Sequence, residues 1–117
     1  MKVTSDNKYL VMHIMTRLHD KTRYGRLKWQ LVDSRDGVNK FNAAVPGGGR
    51  VEVLVPPAGP QSGGTAVVLY GLGDEKQEVL TVDRADGVDA TLVAMAVVDS
   101  VLAGEEAWLQ KMRDALA

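Results

Sequence analysis

Between Leu18 and Trp29, in the run LHDKTRYGRLKW, the apolar residues change from helical spacing to strand spacing. Upstream, Val11, Ile14, Met15, Leu18 and Thr22 recur every three or four positions; downstream, Leu27, Trp29 and Leu31 recur every second position. Gly25 stands at the change. A glycine takes the left-handed conformation that closes a helix without the clash a Cβ would bring, so the helix is expected to end here and hand over to a strand. The junction fixes architecture and says nothing of chemistry.

The rest of the chain extends that start. Helix one is expected to begin at Ser5 or Asp6, either of which can cap free backbone amides, and to run to Thr22 or Arg23. A first strand over 27–32 leads into Asp33-Ser34-Arg35-Asp36-Gly37, whose Asp-Gly pair suits a hairpin. Further strands are expected over 38–45, 51–55, 65–70 and 78–82, with turns at Pro46-Gly47-Gly48-Gly49 and at Gly71-Leu72-Gly73-Asp74. The segment PPAGPQSGG, 56–64, has linker composition but is too short to separate domains. Short connections demand antiparallel neighbours, because a parallel pair needs a crossover of a dozen or more residues.

Helical spacing returns in the C-terminal third, with Asp86 or Asp89 as caps and Val88, Leu92, Met95 and Leu102 along one side. Gly104 interrupts this stretch, and a second stripe of Trp108, Leu109, Met112 and Leu116 follows, so a break is expected at the glycine. The reading is a single α+β domain over 1–117: an N-terminal helix, a five-stranded antiparallel meander and one or two C-terminal helices packed on one face.

Composition bounds the function. With no cysteine in 117 residues, disulfides, thiolate metal sites and a cysteine nucleophile are excluded, and a reducing, cytoplasmic setting is expected. No stretch approaches the ~20 apolar residues that cross a bilayer, so no membrane association is expected. The net charge of −1 hides an asymmetry. Residues 1–40 hold nine Lys or Arg against four Asp, a net +5, whereas 41–117 hold five against eleven acidic residues, a net −6. This marks either a charged partner surface or a basic first helix and strand neutralised by an acidic last helix.

The segment from Leu18 to Trp29, LxxKTxxGxLxW in pattern form, resembles one found in small bacterial and phage proteins that share this helix, meander and helix layout. The resemblance implies a module that stands alone or sits beside, or fused to, conflict and defence components. Its signature is carried by Lys21, Thr22, Gly25, Leu27 and Trp29, which also suffice to build the helix-to-strand corner.

No chemical motif stands clear of its structural explanation. His13 and His19 lie about 120° apart on a helix, too far round to share a metal. His13, Arg17 and Asp20 share a helix face and form either a small polar cluster or plain surface, and no serine is placed to join them as a nucleophile. The glycine clusters at 47–49 and 71–73 lead into strands, whereas a phosphate loop needs a following helix, so they read as hairpin turns. Asp83, Asp86 and Asp89 lack the spacing and closing glutamate of a calcium loop and read as a helix start.

Lys21, Arg23, Arg26 and Lys28 interleave with Tyr24 and Trp29 and form the best chemical lead, a mixture able to hold phosphates and stack bases. The competing reading buries Trp29 beside Leu27 and Leu31 and leaves Lys28 on a solvent face. Trp108, Leu109 and Met112 either edge the core or anchor an interface. The expectation is therefore a non-enzymatic interaction or adaptor module, with no cofactor and no catalytic or metal-binding residues. Its partner is a protein, itself included as a homodimer, and nucleic acid is not expected. The alternative is a protein that binds a nucleotide or other small anion through Lys21, Arg23, Arg26 and Lys28.

Overall fold

The computed structural model describes residues 1–72, 77–88 and 90–117. Helix α1 (Lys8–Arg23) is followed by strands β1 (Gln30–Arg35), β2 (Val38–Val45), β3 (Gly49–Val55), β4 (Ala66–Leu72) and β5 (Gln77–Asp83), a 3-10 turn at Arg84–Asp86 and helix α2 (Thr91–Ala115). The strands form one antiparallel sheet in the order β1-β2-β3-β4-β5, so the expected α+β meander is what the chain builds.

The helices cover one face of the sheet. Phe41, Val53, Val67 and Val82 stand opposite one another across four strands, as do Ala43, Val51, Leu69 and Leu80 across the next row. Helix α2 lies over β3 and β4 and packs along α1. Val93, Ala94 and Val97 of α2 and Val11, Met15 and Leu18 of α1 join the sheet residues in one apolar cluster. On α1 helical spacing points inward the residues the sequence marks. On α2 it does not, because the side that meets the sheet and α1 is that of Val93, Ala94 and Val97, while Leu92 and Leu102 of the expected stripe are exposed.

The corner is tighter than spacing alone conveys. Tyr24 follows the last turn of α1 and Gly25 takes φ 69°, with the Gly25 N–H on the Thr22 carbonyl at 3.1 Å and the Arg26 N–H on the Lys21 carbonyl at 2.8 Å. This pair of bonds is the Schellman closure, which satisfies carbonyls the helix would otherwise leave free. The Trp29 indole N–H donates to Thr22 Oγ1 at 2.9 Å, and that hydroxyl donates to the Leu18 carbonyl at 2.7 Å. Trp29, 9% exposed, is therefore a core residue tied to the helix it follows. Of the five signature residues, Thr22, Gly25, Leu27 and Trp29 build this corner and only Lys21 is left for other work.

Several boundaries differ from expectation. Helix α1 begins at Lys8, because Thr4 and Asn7 close a reciprocal turn ahead of it: the Thr4 N–H donates to Asn7 Oδ1 at 2.7 Å and the Asn7 N–H to Thr4 Oγ1 at 3.3 Å. Ladder pairing in β1 starts at Gln30, after Leu27 and Trp29, and the register slips between Leu31 and Asp33. That bulge ends the alternation, leaving Leu31 and Val32 exposed rather than buried beside Trp29. The first hairpin closes on Asp36 and Gly37 alone, both at positive φ, the geometry of a two-residue turn. Asp86 does not cap α2. Its carboxylate accepts from the Asp83 N–H at 3.0 Å, while Asp83 Oδ1 accepts from the Ala85 N–H at 2.9 Å, so both serve the 3-10 turn. Residues 73–76, which include Gly73 and Asp74 of the second expected turn, and Asp89, the other cap expected, lie outside the described residues.

The proline-rich stretch is a built loop. Successive turns join Gly59 to Pro56, Ser62 to Gly59 and Thr65 to Ser62, and the buried Thr65 hydroxyl donates to the Pro60 carbonyl at 2.9 Å.

The largest departure is at Gly104. Helix α2 runs unbroken from Thr91 to Ala115, and Gly104 is an ordinary helical position with nothing within 4 Å of where its Cβ would stand. An interior glycine costs a helix about 1 kcal/mol against alanine, which the strong helix formers around it outweigh. From Leu102 onward every residue is exposed, so the distal half of α2 leaves the body as an arm about 20 Å long. The chain measures 57 × 32 × 25 Å, and its radius of gyration of 15.4 Å exceeds the ~13 Å of a compact chain this long. Gly104→Ala is expected to stabilise the arm by about 0.5 to 1 kcal/mol, read as a gain in helical ellipticity at 222 nm; a loss would mean that the helix bends there.

Candidate functional site

Two surfaces carry the residues singled out from the sequence, and a third carries a polar cluster the sequence does not announce.

The first is a groove of about 810 Å³ along α1, lined by Tyr9, His13, Arg17, Lys21, Tyr24 and Arg26 among others. Helical spacing sets His13, Arg17 and Lys21 one turn apart on one face. The Schellman closure then returns Arg26 to the position of Lys21. Asp20 shares the groove but turns to His19, with Oδ1 3.3 Å from Nδ1. The groove joins two clusters that sequence spacing keeps apart, His13-Arg17-Asp20 and Lys21-Arg26, and adds Tyr9.

Only half of the expected basic cluster is here. Arg23 lies on another side of α1, in a hollow with Met95 and Asp99 of α2, and Lys28 is exposed without lining either recess. Trp29, buried in the core, stacks on nothing that enters. His19 lines the Arg23 hollow and His13 the groove, so the two histidines do point apart. Among the described residues no group of acidic or histidine side chains is disposed to hold a metal ion. The ion pairs among them are His19–Asp20, Arg35–Asp33, Arg50–Glu52 and Arg113–Asp114. None joins α1 to α2, so among the described residues no direct pair between the helices neutralises the basic first half. Arg17, Lys21 and Arg26 carry no ion pair among the described residues.

The second surface is the arm. Trp108 and Leu109 are each 60% exposed and Leu116 81%, with Leu102 and Met112 also open to solvent. None of the three expected contact residues, Trp108, Leu109 and Met112, edges the core. Leu102, Leu109 and Leu116 follow one another at seven-residue intervals with Met112 between the last two, the spacing of a seam between paired helices. That interval is the signal which adds Leu102 and Leu116 to the set. At the arm's root an apolar hollow of about 340 Å³ is lined by Leu31, Phe41, Pro57, Val98 and Leu102 among others.

The third lies on the uncovered face of the sheet. Tyr70 donates its hydroxyl to Glu52 Oε2 at 3.0 Å, Arg50 Nη2 lies 3.6 Å from Glu52 Oε1, and the guanidinium sits 4.4 Å from the Tyr70 ring centre. Burial, and then the Glu52 carboxylate as acceptor and negative neighbour, raise the Tyr70 pKa above the ordinary 10.0. The phenol is held protonated, which suits a fastener rather than a base. Since the folded state keeps this proton to higher pH than the unfolded chain does, its stabilising effect is present below pH 10 and fades as pH rises through the folded value. Absorbance titration at 295 nm is expected to show a tyrosine ionising above pH 10 that vanishes in Tyr70→Phe and moves down in Glu52→Gln. No change in the titration in either variant would remove the assignment.

No family model, curated protein or solved structure matches this chain. Among the described residues no helix is long and apolar enough to cross a membrane.

Proposed function

We propose that this chain is a non-enzymatic protein-interaction module that pairs with a second copy of itself through the projecting half of α2. The observation that carries the reading is the exposed stripe of Leu102, Trp108, Leu109, Met112 and Leu116 on a helix its own chain leaves bare. Isolated helices shorter than ~12 to 15 residues are marginal in water, so a bare arm of this length holds its shape best against a partner.

Charge favours an antiparallel second copy. Glu105 and Glu106 sit toward the root, while Lys111 and Arg113 sit toward the tip, where Arg113 also touches Asp114 at 3.4 Å. Two arms running in opposite directions set each acidic pair against the other's basic pair. Area points the same way. The exposed part of Trp108 alone offers about 100 to 150 Å², and the stripe as a whole supplies on the order of half or more of the ~800 Å² per partner that a stable pair buries. The apolar hollow at the root adds further surface where the partner's tip would arrive.

The setting follows from the sequence. The LxxKTxxGxLxW resemblance supports a bacterial or phage origin and a role beside defence components, and the lack of cysteine supports the cytoplasm. Sedimentation equilibrium across a concentration series tests the pairing. A dimer at tens of micromolar is expected, and a monomer throughout that range would defeat it.

A further inference from the structure

The α1 groove sets like charges together, and among the described residues none of the three cations in it is ion-paired. In a Schellman closure the residue after the glycine folds back over the residue five before it, and the two usually make an apolar contact. Here those positions hold Arg26 and Lys21, so the backbone itself brings two cations into one recess. Arg17 lies one helical turn further, about 6 Å along the axis, and His13 a turn beyond that. Among the described residues the lining holds one carboxylate, Asp20, against three cations, and its Oδ1 lies 3.3 Å from His19 Nδ1 instead of pairing with any of them. Like charges at this spacing repel, and an anion placed among them turns the repulsion into attraction.

Two features narrow the anion. Tyr9 and Tyr24 line the same groove with 78% and 79% of their surface open, leaving bare rings at its ends. The chain as a whole is slightly acidic, with a net −6 beyond residue 40, which disfavours a long polyanion running past the groove. The negative end of the α1 dipole would oppose an anion here. It is blunted, because the carbonyls of Asp20, Lys21 and Thr22 already accept from the Tyr24, Arg26 and Gly25 amides.

We infer that the groove binds a small organic phosphate carrying a planar ring, of the nucleoside diphosphate class, with its phosphates among Arg17, Lys21 and Arg26 and its ring on Tyr24. The site is separate from the arm and does not depend on pairing.

Titration of the full chain with ADP, adenosine and pyrophosphate, followed by amide chemical shifts, tests the assignment. Saturable ADP binding is expected, with shifts centred on 13–26 and no response to adenosine. Lys21→Glu and Arg26→Glu are each expected to weaken ADP roughly tenfold, the loss of a charge-assisted phosphate contact and its replacement by repulsion. Lys28→Glu, equally exposed but outside the groove, is expected to leave binding unchanged, and Tyr24→Ala to weaken ADP while sparing pyrophosphate. An absence of saturable ADP binding would overturn the inference. So would a Lys28→Glu effect equal to that of Lys21→Glu, or pyrophosphate binding as tightly as ADP with Tyr24 inert.

Discussion

Trp29→Ala is expected to lower the free energy of unfolding by about 3 to 5 kcal/mol, the usual range for deleting a large buried aromatic side chain. Small domains are stable by only ~5 to 15 kcal/mol, so the variant would sit near the edge of folding. The reason is specific to the corner. Trp29 fills the space between α1 and the start of the sheet and also holds the Thr22 hydroxyl, which in turn grips the Leu18 carbonyl. Removing the indole empties the core and loosens the end of α1 together. Trp29→Phe separates the two effects, since it keeps most of the ring and loses only the indole N–H; about 1 to 2 kcal/mol is expected from the lost bond and smaller volume. Urea unfolding monitored by circular dichroism reads both, and an unchanged midpoint in Trp29→Ala would show that the indole does not hold the corner.

Trp108→Glu is expected to abolish pairing while leaving the body folded. In a two-fold symmetric pair each substitution is made twice, once from each side. A buried tryptophan anchor is commonly worth 2 kcal/mol or more, so two copies remove about 4 kcal/mol, roughly a thousandfold in the dissociation constant. The body should not notice, because Trp108 is exposed on the free arm and outside the apolar cluster. Sedimentation and thermal unfolding on the same sample decide the matter. A monomeric mutant with a lower unfolding midpoint, measured at concentrations where the wild type is also monomeric, would place Trp108 in the fold instead of in an interface.

How far such residues are legible in the sequence depends on what sets their position. Burial of Phe41, Val53, Val67 and Val82 follows from alternation, because the helices cover that face of the sheet; the burial of Glu52 and Val68 at the centre of the other face does not follow from it. The corner was legible for the same kind of reason: Gly25 is the one residue there able to take φ 69° without strain. The start of β1 was not, since Leu27 and Trp29 alternate like strand residues while their backbones lie ahead of the ladder, and nothing in the sequence marks the bulge after Leu31. Gly104 misleads because local propensity is a weak vote against a long run of helix formers. The groove was visible only in halves. Spacing along a helix groups His13, Arg17 and Asp20, but the return of Arg26 onto Lys21 depends on the path of the chain after the helix ends.

The meander has a consequence for how the chain reaches this state. Each strand pairs with its neighbour in sequence, so the sheet can be assembled from hairpins whose loop-closure entropy is small. The contact between α1 and α2 is of the other kind, joining the two ends across the whole length of the sheet. Local hairpins can therefore form early and cheaply in entropy, but the apolar row through Val53 and Val67 stays wet until α2 lies down on it. The rate-limiting event is then expected to be the docking of the terminal helices. Val93 and Val97 should accordingly affect the folding rate, while Trp108, out on the arm, should leave it alone.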